Sequence, residues 1–123
     1  VIIELKSPND QIFKTNKKIN NNDGKSTEYQ LSPQISRAIP QILHYKSILE
    51  SKFVVDDDLQ RIGIKPGKVN KCIILIGQRK DDPVWEEHFR NLRTSFSNIL
   101  EIWTYSDLIN KLETTIINLE DNL

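Results

Sequence analysis

The chain has 123 residues, enough for one hydrophobic core and too few for two. Its 17 Lys and Arg balance 17 Asp and Glu, so no global basic field marks it for a polyanion, although residues 1–52 carry a net +3 and the remainder −3. No apolar run approaches the ~20 residues of a membrane span, no signal-peptide pattern opens the chain, and the lone Cys72 excludes an internal disulfide and points to a reducing, cytoplasmic setting.

The opening residues, Val1-Ile2-Ile3-Glu4-Leu5-Lys6, predict a strand in which Glu4 and Lys6 share one face and Ile3 and Leu5 the other. Charges in so apolar a strand cost free energy unless they meet a partner or a metal, so the pair needs a reason. The absence of methionine and the start in mid-strand predict that this is the C-terminal portion of a longer protein, hence an N-terminally truncated domain. From Ser7 to Gln30 the sequence turns polar, and Asn-Asp-Gly at residues 22–24 is turn chemistry flanked by Ile12-Phe13 and Tyr29-Leu31. This predicts a mobile connection or a ragged hairpin bearing Lys14, Lys17, Lys18 and Lys25. Those lysines decorate a solvated loop or touch phosphates.

Ser32-Pro33 reads as an N-cap followed by proline at the first helical position, predicting a helix over residues 33–51. Ile35, Ala38, Ile39, Ile42 and Leu49 form its core stripe, Arg37, Gln41 and Tyr45 lie along one flank, and Pro40 kinks it on the far side. Between Phe53 and Asn70, Asp56-Asp57-Asp58 predicts a solvated acidic turn, since it lacks the spacing and glycine of a calcium loop, and Arg61–Ile64 a short strand. Lys71–Gly77 predicts a strand covered on both faces. Asp81-Asp82-Pro83 opens a helix with Trp85, Phe89, Leu92 and Phe96 on its core side, Ile99–Thr104 is a further strand, and Ser106 caps a last helix that turns Leu108, Ile109, Leu112, Ile116 and Leu119 inward. The alternation predicts an α/β fold, a mixed sheet flanked by helices, with core motifs in residues 1–77 and a helix–strand–helix extension in 83–121.

A carboxylate and a lysine two residues apart on a strand face can supply a metal ligand and a cation for the charge that builds during phosphodiester hydrolysis. Alone, Glu-x-Lys fits an exposed edge strand equally well. In combination, Val1-Ile2-Ile3-Glu4-Leu5-Lys6-Ser7-Pro8, the helical Ala38-x-x-Gln41-x-x-x-Tyr45 and Ile74-Leu75-Ile76-Gly77 with Arg79 just beyond resemble the PD-(D/E)xK nuclease superfamily, and within it the Shedu anti-phage defence nucleases.

The resemblance implies a restriction-endonuclease-like fold and a metal-dependent DNA endonuclease using Mg²⁺ or Mn²⁺, homo-oligomeric in the full-length protein. It implies that Glu4, with the Leu5 backbone carbonyl, binds the metal and that Lys6 orients the attacking water or stabilises the developing charge. On the same resemblance Gln41 and Tyr45, as in RecB-type nucleases, would steady the site or contact the DNA backbone; Arg37 neutralises a phosphate or is a plain surface arginine, and the loop lysine Lys18 and Arg79 are further candidates for nucleic-acid contact. The family's aspartate from the strand before Glu-x-Lys lies outside this chain, and Asp10 and Asp23 sit in the polar loop, so the fragment is expected to be inactive alone. Two other classes stay open: a nucleic-acid-binding or assembly module that lost the chemistry, and a structural role in which Glu4 pairs with Lys6 or Arg37.

Overall fold

The structure, a computed structural model, describes residues 1–20, 24–55 and 71–123. Three strands, β1 (Ile2–Leu5), β4 (Cys72–Leu75) and β5 (Glu101–Trp103), form a parallel sheet in the order β1-β4-β5. Separately, β2 (Phe13–Asn20) and β3 (Gly24–Leu31) pair antiparallel from Phe13 opposite Leu31 to Asn20 opposite Gly24. The expected ragged connection is thus a regular ribbon. The expected acidic turn at Asp56–Asp58 and the expected strand at Arg61–Ile64 lie outside the described residues.

Helix α1 (Pro33–Val55) follows β3, α2 (Pro83–Phe96) joins β4 to β5, and α3 (Tyr105–Asp121) follows β5. Each start has a local cause. The Ser32 hydroxyl accepts the Ile35 N–H with Pro33 at the first helical position, and α1 runs unbroken through the exposed Pro40. The Asp82 carboxylate accepts the Val84 N–H ahead of α2. At α3 the cap is Thr104, two residues before the expected Ser106: its hydroxyl accepts the Asp107 N–H while the Asp107 carboxylate accepts the Thr104 N–H.

One core unites Ile35, Ala38, Ile39 and Ile42 of α1, Trp85, Phe89 and Leu92 of α2, Cys72, Ile74 and Ile102 of the sheet, and Ile12 and Phe13 at the base of the ribbon. Both crossover helices therefore cover the same face of the sheet. Side chains alternate along a strand, so the opposite face is made of Ile3, Leu5, Ile73, Leu75 and Trp103. There Ile3 and Leu5 are exposed, Ile73 is half-buried and Leu75 is buried, so β4 is fully covered on one face and partly on the other.

The last helix departs most from expectation. Ile109, Leu112, Ile116 and Leu119 are all more than half exposed, Leu108 is half-buried, and no residue of α3 is buried. The stripe is present, but it turns outward; among the described residues the helix is held near its N-terminal end, by the Thr104 cap, the Tyr105 hydroxyl and Lys111 over the Trp103 ring.

Candidate active site

Among the described residues, strand β1 occupies the sheet's edge. Ile2 donates its N–H to the Lys71 carbonyl and Lys6 donates to the Leu75 carbonyl, so even-numbered residues bond toward β4. By the alternation of a parallel ladder, Ile3 and Leu5 direct their N–H and C=O groups to the opposite edge, which no described strand pairs. The Leu5 carbonyl thus lies on the open side of the strand, beside the Glu4 and Lys6 backbone.

The two charged side chains lie on the core-facing side with Ile2. Their burial is partial: the Lys6 and Glu4 side chains keep 27% and 22% of their exposure, and Lys6 Nζ lies 3.3 Å from Glu4 Oε1. The pair is therefore reachable from solvent and mutually neutralised, as the structural reading of the sequence allowed. In register, Glu4 lies beside the buried Ile74, so an apolar wall bounds the pair on one side.

The strand tip is braced from three directions. Ser7 donates its N–H to Asp10 and accepts the N–H bonds of Asp10 and Gly77 at its carbonyl, which folds residues 7–10 back onto the end of β4. Gly77 has φ 63°, and a Cβ there would stand 2.4 Å from the Asp10 carbonyl oxygen, so glycine is what lets the turn close. Tyr105 then donates its hydroxyl to the Lys6 carbonyl and its N–H to the Gly77 carbonyl. Sequence reasoning missed Tyr105, and no local signal marks a contact 99 residues away. Asp10 is committed to its turn; Asp23 lies outside the described residues.

Helix α1 carries the second pair. Gln41 Nε2 donates to the Tyr45 hydroxyl at 3.1 Å, and both side chains are exposed, with Arg37 exposed one turn earlier. Among the described residues no hydrogen bond or ion pair joins Gln41 or Tyr45 to Glu4 or Lys6; the structure sets the two pairs on neighbouring elements without linking them. His44 is exposed. Lys18 lies in β2 opposite Ser26, and its side chain is outside what is described. Arg79 is held by others: its guanidinium lies 3.4 Å from Glu86 and 3.6 Å from Asp107, above the Phe89 ring.

Away from β1, the ribbon is fastened to α2 by Tyr29, whose hydroxyl donates to Asp82 at 2.8 Å while its ring packs against His88 and Phe13. This bond raises the Tyr29 pKa above 10.0 and, with the Val84 N–H, lowers that of Asp82 below 3.8. Burial raises the Cys72 thiol pKa, fitting an inert core residue.

For a divalent cation the inventory is short. No three His, Cys, Asp or Glu side chains converge among the described residues, and Glu4 brings one carboxylate. These residues do not by themselves make a metal site.

Residues 1–109, from the start of β1 into the second turn of α3, match the family model described as Shedu protein SduA, C-terminal. No curated protein matches the chain. Among the described residues no helix is long and apolar enough to cross a membrane. With a matched span that includes the Glu4-Leu5-Lys6 strand, α1 and the whole sheet, the chain belongs to the Shedu SduA C-terminal family.

Proposed function

We propose that this domain is the DNA-cleaving part of an anti-phage defence protein with the restriction-endonuclease-like PD-(D/E)xK organisation, hydrolysing phosphodiester bonds with Mg²⁺ or Mn²⁺. The observation that carries the reading is the partly exposed Glu4–Lys6 pair on β1, whose far backbone edge no described strand pairs. Glu4 offers a carboxylate, the Leu5 carbonyl faces the open edge, and Lys6 offers a cation to a phosphoryl oxygen. A strand laid against β1 would bring an aspartate beside Glu4 and complete the set that the described residues leave at one carboxylate. Gln41 and Tyr45 then serve as a hydrogen-bonded platform for the DNA backbone, with Arg37 on the same flank.

A second reading has its own observation. Glu4 and Lys6 already neutralise each other at 3.3 Å, which fits a nucleic-acid-binding or assembly module that kept the fold and lost the chemistry. The two readings part on one experiment, nicking of supercoiled plasmid by the protein in its natural full length. The nuclease reading expects nicking that needs Mg²⁺, stops with EDTA and is lost in Lys6→Ala while DNA binding persists. DNA binding without nicking under any divalent ion contradicts it and supports the module.

A further inference from the structure

Lys6 lies one residue past the last paired position of β1, where the ladder to β4 comes undone. Its N–H still donates to the Leu75 carbonyl. By the alternation of a parallel ladder, its own carbonyl would next accept the Gly77 N–H. That N–H goes instead to the Ser7 carbonyl, and the Lys6 carbonyl accepts the Tyr105 hydroxyl. A phenol 99 residues away in the chain thus stands in for the missing rung.

Tyr105 is itself firmly placed. Its N–H donates to the Gly77 carbonyl, which closes a ring of bonds running from Tyr105 to Gly77, from Gly77 to Ser7 and from Tyr105 back to Lys6. As the first residue of α3 it follows directly on the Thr104 capping box. The same turn is tied to the loop after β4, because Arg79 donates its N–H to the Ser106 hydroxyl and sets its guanidinium 3.6 Å from Asp107. The half-buried Tyr105 ring therefore delivers its hydroxyl from a base with little freedom to move.

We propose that Tyr105 is a positioning residue for the Glu4–Lys6 site, its hydroxyl fixing the Lys6 backbone so that the ammonium stays where a phosphoryl oxygen arrives. The inference rests on the nuclease reading of that pair and adds to it a residue that touches no reacting group. The Lys6 ammonium rides on a flexible stem, so its reach is set by where the backbone holds the base of that stem. Leu75 fixes the N–H of Lys6 and Tyr105 its carbonyl. With the phenol gone the carbonyl turns to water, the strand end frays, and the ammonium leaves its place 3.3 Å from Glu4. Displacing a catalytic group by about 1 Å costs on the order of 10²-fold in rate. The loss falls on turnover, because Tyr105 makes no contact with DNA in this arrangement.

The test compares Tyr105→Phe with Tyr29→Phe in the full natural protein at neutral pH, with circular dichroism to confirm folding. Both substitutions delete one tyrosine hydroxyl donor, but that of Tyr29 serves Asp82, away from the strand tip. Tyr105→Phe is expected to slow single-turnover nicking of saturating plasmid with Mg²⁺ at least ~10-fold, with the Kd for DNA changed less than ~3-fold. Hydrogen exchange in the peptide covering residues 2–9 is expected to quicken at least ~10-fold in Tyr105→Phe and to stay unchanged in Tyr29→Phe, which keeps nicking within ~3-fold of wild type. Wild-type exchange over residues 2–9 in Tyr105→Phe, nicking within ~3-fold of wild type, or equal losses in the two variants overturns the proposal. A wild-type protein that binds DNA and nicks nothing sinks the nuclease reading instead, and takes with it the catalytic purpose assigned to Tyr105, while the exchange result still decides whether Tyr105 holds Lys6.

Discussion

Strands β1 and β4 lie side by side in register, yet they solve opposite problems. Ile74 of β4 is fully buried under the helices; Glu4, its partner in β1, is a carboxylate on the same face that keeps about a fifth of its exposure. β4 is flanked by strands on both sides and is apolar throughout, whereas β1 has one edge that no described strand pairs and exposes Ile3 and Leu5 on its other face. The difference teaches where the fold ends and the site begins. A charge is tolerable in β1 because water still reaches it, and an ion pair that exposed contributes about 0–1 kcal/mol to stability. The fold therefore gains little from Glu4 and Lys6, which fits the chemistry or binding proposed for them.

The comparison breaks if the two register partners respond alike to substitution. Ile74→Ala is expected to cost about 2–5 kcal/mol of unfolding free energy, the usual loss for truncating a buried isoleucine, measured by urea denaturation. Gly77→Ala comes next, at about 1–3 kcal/mol, because alanine is strained at φ 63° and its methyl would meet the Asp10 carbonyl; part of that loss is expected to appear as looser packing of the strand tip in hydrogen exchange. Smaller again is Tyr29→Phe, and its effect should depend on pH. Asp82, with its pKa lowered, contributes stability that is present above pH 3.8 and lost as pH falls through the lower folded value. Tyr29, with its pKa raised, contributes stability present below pH 10.0 and lost as pH rises through the higher folded value. The gap in urea midpoint between wild type and Tyr29→Phe should accordingly be widest near neutrality and narrow at both extremes. Last is Glu4→Gln, expected to change stability by less than about 1 kcal/mol. A loss in Glu4→Gln as large as that in Ile74→Ala would make the pair structural and erase the distinction between the strands.

What the sequence disclosed follows the range of the forces involved. Ser32-Pro33 and Asp82-Pro83 announced their helices because capping is settled within four residues. The shared face of Glu4 and Lys6, and the shared flank of Gln41 and Tyr45, follow from the periods of strand and helix; the bond between Gln41 and Tyr45 is seen only in the structure. The cap of α3 was misplaced although Thr104-x-x-Asp107 is itself a capping signature; Ser106 offered the same chemistry nearby. The outward turn of the α3 stripe was illegible because periodicity shows which residues share a face and is silent about what covers it. Trp85, Phe89 and Leu92 of α2 repeat with the same spacing and are buried. The bonds from Tyr29 to Asp82 and from Tyr105 to Lys6 join residues 53 and 99 positions apart, beyond any local pattern.

The most direct test of the central claim compares Glu4→Gln with Ile74→Val in the full natural protein, both checked for stability, in a plasmid-nicking assay with Mg²⁺. The account predicts that Glu4→Gln abolishes nicking at near wild-type stability, while Ile74→Val, at a cost of about 0.5–1.5 kcal/mol, still nicks. Nicking by a folded Glu4→Gln protein at the wild-type rate would contradict it, and β1 would then be an edge strand whose ion pair has no part in phosphodiester chemistry.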